Sequence, residues 1–440
     1  MSEQKLMFLM NVLRRKVFWQ LDNFNGGTIK KHLQEIETIL EAPFSKEANE
    51  LKGLNLAALL SHATNTTPYY YSLSGKETLE DFPVINKKLV QDNFDSFKSD
   101  KFLNENLFKV ATSGSTGVPF KLFHDKGKRK RNSADVIYFS KKAGYTIGNL
   151  LIELEVWRNH NTRSNFKNFL QNTIQFDISK LTKNRIHEFI RILSTSEPKN
   201  VLGFPSAMES ICAHIDTNPN PIKVKNIKSF IANSEYLNDY VRESVKRNFK
   251  CPIYSRYSSE ELGILAHQTV DSGVDFQINW ASYIVEVLDM NKNVPAQNGK
   301  LGRLVITDLF NYAMPLIRYD TGDVAKFNEK DKRFLKIVEG RKMDMVFDTS
   351  GSVISSYVVY TKFYPYYHLL NQYQFLQIGE KEYHIKMNMK EGKFEYGKDL
   401  INSIKDDFGN DAKVTMELVD EIPPLASGKR KKVVNEYKKS

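Results

Sequence analysis

Apolar positions in the first hundred residues recur at helical spacing, Ile36 with Leu40 and later Leu56 with Leu59 and Leu60. Asp81-Phe82-Pro83-Val84 breaks that pattern and opens a long mixed region. Between about residues 107 and 340, strand-like runs such as Ile284 to Leu288 and Leu301 to Thr307 alternate with helical ones such as Tyr240 to Phe249. That alternation predicts a large α/β body. The last hundred residues read as a self-contained unit. Tyr373 to Ile378 is a short strand-like run, and Tyr383, Ile385, Met387 and Met389 alternate with polar residues in the period of a half-buried strand. Leu400, Ile401, Ile404 and Phe408 return to helical spacing, Gly409-Asn410 supplies a stop, and Val414, Met416 and Leu418 alternate again. Two strands, a helix and a strand make a small α/β unit, with its boundary expected between Gly340 and Asp344. The pattern shows no internal repeat.

The N-terminus combines a short apolar run, Leu6-Met7-Phe8-Leu9-Met10, with Arg14-Arg15-Lys16. An acid precedes the run and no small-residue cleavage site follows it, which argues against a leader peptide. Two readings stay open: a first helix packed on the body, which base rates favour, or a basic amphipathic helix in weak peripheral contact with a membrane. No stretch reaches the roughly 20 apolar residues of a membrane span.

Composition narrows the class. With 41% hydrophobic and 26% charged residues the chain is an ordinary folded protein rather than a disordered one. Cys212 and Cys251 are its two cysteines and form no CxxC pair, which points to a reducing, cytoplasmic setting without a zinc framework. The net charge of +11, with basic clusters at Lys126 to Arg131 and Lys429 to Lys432, raises nucleic-acid binding. Neither cluster sits in a helix-turn-helix, zinc-finger or aromatic–basic RNA-binding pattern, so attraction to small anions is the better reading.

The segment Thr112-Ser113-Gly114-Ser115-Thr116-Gly117-Val118-Pro119-Phe120-Lys121 carries the clearest chemistry. Glycines allow backbone N–H groups to approach an anion, the hydroxyls of Ser113, Ser115 and Thr116 add donors, and Lys121 adds a charge. It is not a GxxxxGK[ST] phosphate loop. The segment resembles the phosphate loop of the adenylate-forming superfamily, which comprises acyl-CoA synthetases, peptide-synthetase adenylation domains and luciferases. It is most similar to the phenylacetate-CoA ligase branch and its shorter relatives linked to capsular polysaccharide synthesis.

Further motifs follow in that superfamily's order. Tyr257-Ser258-Ser259-Glu260-Glu261-Leu262-Gly263 resembles its Tyr-Gly-x-x-Glu segment, which implies Glu261 as the Mg²⁺ ligand, with Glu260 the alternate because Ser258 replaces the usual glycine. Asn233-Ser234-Glu235-Tyr236 resembles the stretch lining the adenine. Met314-Pro315-Leu316-Ile317-Arg318-Tyr319-Asp320-Thr321-Gly322-Asp323 resembles the Arg-Tyr-x-Thr-Gly-Asp motif. That likeness places the ribose-binding carboxylate at Asp323 rather than Asp320. Gly340-Arg341-Lys342-Met343-Asp344 resembles the interdomain hinge, with Arg341 near the ribose or phosphate, and Ala426-Ser427-Gly428-Lys429 resembles the motif whose lysine reaches the reacting carboxylate.

The resemblance covers roughly residues 80 to 435. It implies a layered N-terminal α/β domain, residues 1–340, and a small mobile C-terminal α/β lid, residues 341–440. It implies ATP, Mg²⁺ and a small-molecule carboxylic acid as reactants, with Lys429, Thr116 and Glu261 catalytic and Tyr257 in the nucleotide site. The acceptor implied is the thiol of coenzyme A, with an amine as the alternative. Trp157, Phe204-Pro205-Ser206 and Tyr254 are candidate walls of the acyl pocket. The Cys/His cluster some relatives carry is missing, since Ala266 to Gln277 holds one histidine, His267, and no cysteine. The competing classes are a nucleotide-binding protein without chemistry and a nucleic-acid-binding protein. The presence of both Glu261 and Lys429 weighs against the first.

Overall fold

The structure is a computed structural model that describes residues 3–112, 120–157, 161–179, 181–218, 222–339, 346–351, 353–354, 356–423 and 431–437. Three helices, Glu3–Phe24, Thr28–Glu41 and Lys46–Thr66, lead the chain, as the helical periodicity predicts. A two-stranded hairpin, Phe108–Thr112 with Phe120–His124, then precedes the helix Lys126–Lys142.

One large mixed sheet forms the body. Its first half is parallel: Thr173–Asp177, Leu150–Glu155, Lys199–Gly203, Ile227–Asn233 and Ile253–Ser259 lie side by side, with Thr173–Asp177 at the edge. Helices Lys183–Leu193, Pro205–Asp216 and Asp239–Phe249 connect and cover these strands. Burial on both faces explains near-continuous apolar runs such as Phe230-Ile231-Ala232. From Ile253–Ser259 onward the sheet turns antiparallel, through Gly263–His267, Phe276–Ile278, Phe334–Glu339, Tyr319–Phe327, Gly302–Asp308 and Tyr283–Leu288. The two halves own separate hydrophobic cores.

The C-terminal residues build a third core around a four-stranded sheet in the order Lys413–Leu418, Glu382–Met389, Leu370–Gln377, Val433–Asn435, with the buried face of helix Gly397–Phe408 in the same core. The two strands, helix and strand read from the pattern are all present. The short strand Val433–Asn435, parallel to Leu370–Gln377, and the helix Ser356–Phe363 are additions whose apolar stretches are too short to show a period. The sequence-derived boundary, residues 340–344, lies outside the described residues. The architecture is therefore a large layered α/β body followed by a small α/β unit.

The basic cluster at Lys126 to Arg131 proves to be structural. Asp125 caps the helix by accepting the Lys128 backbone N–H at 2.9 Å. Lys128 then points inward to pair with Asp308 at 2.6 Å, both side chains wholly buried, and donates to the Tyr283 hydroxyl at 3.2 Å. Arg131, also wholly buried, donates to Ser282, to the Ala281 carbonyl and to Glu35 at 2.7–2.9 Å. Two of the cluster's cations are thus consumed inside the fold. Asp308→Ala should lower unfolding free energy by about 3–5 kcal/mol, because it strands the buried Lys128 ammonium. A second variant, Lys128→Met with Asp308→Leu, should recover most of that loss. Urea unfolding of the two proteins checks both values.

Candidate active site

The hairpin strand Phe120–His124 alternates cleanly, with Phe120, Leu122 and His124 buried and Lys121 exposed. Thr112 pairs with Phe120 at the end of this two-stranded ladder. Ser113, Gly114, Ser115, Thr116 and Gly117 lie outside the described residues, as do Arg341 and Lys429.

The root of the arm is tied to both downstream motifs. His124 donates through Nε2 to the Glu261 carbonyl at 2.9 Å, which fixes its tautomer because a carbonyl only accepts. Asp125, besides capping its helix, accepts the backbone N–H groups of Tyr312 and Ala313 at 2.9 and 3.3 Å. Asn311 donates to the Phe123 carbonyl at 3.1 Å. Phe120 stacks on Tyr319, with ring centroids 6.1 Å apart and planes 6° apart.

The two acidic motifs converge at this place. Tyr319, fully buried, directs its hydroxyl to Glu261 Oε1 at 3.5 Å. Tyr257, on the neighbouring sheet segment, donates to Asp323 Oδ2 at 2.6 Å. Burial, reinforced by the facing carboxylates, pushes both phenols well above their ordinary range, so each stays a donor. The turn before Asp323 depends on Gly322 at φ 80°, with its N–H donating to Asp320 Oδ1 at 2.9 Å. Asp320 itself is held by Arg303 at 2.6 Å, which leaves Asp323 as the carboxylate facing Tyr257. Arg318 is bound through two nitrogens to Glu286 at 2.8 and 3.1 Å, an internal brace. Glu260 is exposed while Glu261 is half-buried beside Tyr319.

The segment after Ile227–Asn233 takes a sharp turn, with Ser234 at φ 67°. Glu235 accepts the Ser206 N–H at 2.8 Å at the start of helix Pro205–Asp216. Its carboxylate therefore positions the Phe204-Pro205-Ser206 corner. Tyr236 stacks on Tyr360 of the C-terminal unit, with centroids 4.3 Å apart. Trp157 donates from its indole to the Glu153 carbonyl at 3.4 Å and lies 5.7 Å from the Arg163 guanidinium. His267 is a packed core histidine, stacked on Phe139 and bonded to the Gln268 carbonyl. Sequence reasoning missed Lys87, whose ammonium sits 5.3 Å from the Phe120 ring. It belongs to no motif, and the short parallel pairing of Ile85-Asn86 with Tyr319-Asp320 is what brings it there.

Comparison with known proteins gives a CapK C-terminal domain over residues 346–436. The chain is 21% identical over 434 residues to Protein CapK of Staphylococcus aureus, covering 93% of each. It superposes on 2-hydroxyisobutyryl-CoA ligase in the postadenylation state with a TM-score of 0.71 at 15% identity, covering 89% of this chain and 90% of that one. The same ligase in its thioesterification state gives 0.57 at 16% identity with the same coverage. The fold is that of the adenylate-forming ligases, as the motif resemblance implied.

Burial, with the Lys128 and Arg129 cations behind it, lowers the His124 imidazole from 6.5 to about 4. The unfolded ring protonates near 6.5, so this contribution to stability is complete above that pH and is lost as pH falls toward 4. Between pH 7 and pH 5 the loss should reach about 2 kcal/mol. His124→Gln, whose amide can still donate to Glu261, should flatten that part of the stability–pH curve measured by chemical denaturation.

Proposed function

We propose that this chain activates a carboxylic acid with MgATP, forming an acyl-adenylate and pyrophosphate, and then transfers the acyl group to an acceptor. The observation that carries the reading is the convergence of Glu261 and Asp323, one facing the buried Tyr319 and the other the half-buried Tyr257, beside the strands that flank the Gly/Ser/Thr-rich segment in sequence. In this reading the segment from Ser113 to Gly117, with Thr116 at its centre and Lys121 at its exit, holds the ATP phosphates. Asp323 accepts both ribose hydroxyls, oriented by the Tyr257 hydroxyl. Ser234, Glu235 and Tyr236 form the adenine side, with Arg341 near the ribose or phosphate.

Glu261 suits a hard cation, since its carboxylate pairs with no cation among the described residues and meets only the 3.5 Å approach of the Tyr319 hydroxyl there. Bound there, Mg²⁺ would neutralise phosphate charge. Lys429 would place its ammonium on the oxygens that become negative as the carboxylate attacks the α-phosphorus. The small C-terminal unit, residues 341–440, would act as a mobile lid that brings this lysine in and later withdraws it. Two buried cysteines and, among the described residues, no helix long and apolar enough to cross a membrane suit a cytoplasmic enzyme.

Coenzyme A is the default acceptor, by analogy with the superposed ligase. The alternative acceptor is an amine in surface-polysaccharide synthesis, the setting of the shorter relatives that the motifs resemble; the match to Protein CapK runs along nearly the whole chain. A hydroxylamine-trapping screen of carboxylic acids with ATP identifies the acid. Adding coenzyme A or amines to the trapped system then separates the acceptors, and absence of ATP-dependent hydroxamate with every acid would reject activation.

Asp323→Ala should weaken ATP binding about 10- to 100-fold while the protein stays folded, because a charged hydrogen-bonding partner contributes about 1.5–3 kcal/mol. Calorimetric titration gives the affinity. Lys429→Ala should leave ATP affinity nearly unchanged and slow pyrophosphate release by about 10²–10³. Acyl transfer from synthetic acyl-adenylate should suffer far less, and an equal loss in the two assays would deny Lys429 its specific part in adenylation.

A further inference from the structure

The first helix packs with its polarity reversed. Its inward side is polar. Asn11 is buried, with its carbonyl so close to Gly148 that a Cβ there would lie 2.3 Å away. Arg15 donates to the Ile147 carbonyl at 3.3 Å, and buried Asp22 accepts the Ile29 and Lys30 N–H groups at 3.1 and 3.0 Å, capping the next helix. The outward side is apolar. Leu6, Leu9, Leu13, Val17, Leu21 and Phe24 follow one another at helical spacing and all are exposed, Leu13 to 53%, Leu21 to 57% and Phe24 to 89%. An isolated exposed leucine is ordinary, but a six-residue stripe along a whole helix is not.

The stripe continues onto a second element. Helix Asn165–Gln171 lies against the first helix, with the Arg14 guanidinium 5.3 Å from the Phe169 ring and Asn172 bonded to Asn11 at 3.4 Å. It exposes Phe166 to 71%, together with Phe169 and Leu170. The exposed charges on the two helices themselves share one sign, with Glu197 held back against Asn172. Lys16 and Lys167 are exposed, and among the described side chains neither helix exposes a carboxylate. A second copy of the chain placed face to face would bring the exposed lysines of these helices together. An anionic bilayer supplies both complements, acyl chains for the stripe and headgroup phosphates for the lysines.

We propose that this face, the helix Glu3–Phe24 with Asn165–Gln171 beside it, seats the protein on the surface of an anionic membrane. The helix lies in the headgroup region while its polar side stays fastened to the body. Contact is peripheral and reversible, and it leaves the arm and the acidic motifs on the antiparallel half of the sheet untouched. This inference does not depend on the proposed chemistry.

Cosedimentation of the full chain with vesicles tests it. Binding is expected to phosphatidylcholine vesicles containing roughly one-third phosphatidylglycerol, several-fold weaker to phosphatidylcholine alone, and weaker as salt is raised. Leu13→Glu with Val17→Glu should lower binding at least about tenfold without moving the thermal unfolding midpoint, since both side chains already face water. Lys16→Glu with Lys167→Glu should do the same on anionic vesicles, at about fivefold or more per charge, and should leave the weak neutral-vesicle binding unchanged. Failure to bind anionic vesicles overturns the proposal, as does equal binding to neutral ones. A concentration-dependent dimer in light scattering that Leu13→Glu dissociates would overturn it in favour of a second copy.

Discussion

The root of the hairpin arm is where the architecture constrains the chemistry most. A two-stranded ladder standing alone is marginal in water, so the strands Phe108–Thr112 and Phe120–His124 must borrow rigidity from the body. Here His124 and Asp125, consecutive in the chain, reach in different directions. One fastens the turn bearing Glu261 and the other fastens the backbone at Tyr312 and Ala313, just ahead of the segment that ends in Asp323. Asp125 simultaneously starts the helix Lys126–Lys142, whose Lys128 and Arg131 bolt the arm to the sheet from beneath. A shift of the arm would therefore shift both acidic motifs with it. The buried ion pair of Lys128 with Asp308 is a poor source of net stability compared with an apolar pair of the same volume. Its geometry makes sense as registry, because only one placement of the helix over the strand Gly302–Asp308 satisfies both charges.

Much of this was legible in the chain. The alternating strands and amphipathic helices appear where apolar period and length are both clear, as in Glu382–Met389 and Gly397–Phe408. The acidic motifs were found because each is contiguous. What holds them was not legible, since the contacts are distant in sequence: Tyr257 meets Asp323 66 positions away, and His124 meets Glu261 across 137. Charge was the least readable quantity. The cluster at Lys126 to Arg131 looks like a solvated patch until Asp308 and Glu35, far along the chain in either direction, are seen to take up its cations. The N-terminal helix illustrates the complementary difficulty. Periodicity reveals a stripe but not which side of it meets the protein, and here Asn11, Arg15 and Asp22 make the polar side the one that packs.

The contact between the C-terminal unit and the body has a different character from either core. Tyr236 stacks on Tyr360, Tyr240 meets Tyr367 edge-on at 5.7 Å, and Lys432 pairs with Glu209 while lying over the Tyr367 and Tyr373 rings. Ring pairs contribute about 0.5–1.5 kcal/mol each beyond their buried area. A partly exposed ion pair contributes about 0–1 kcal/mol. The sum is a few kcal/mol, well short of what separating one of the continuous cores would cost. An interface of that strength can hold one disposition at rest and still yield to the binding energy of a nucleotide or an acceptor. Tyr240 packs against both the parallel-half core and the C-terminal core, and its hydroxyl is fixed by Asp216 at 2.9 Å. Tyr240 is thus anchored on the body and meets the small unit edge-on. In the proposed function, a contact of this kind would let Lys429 take part in one half of the reaction and be withdrawn for the other.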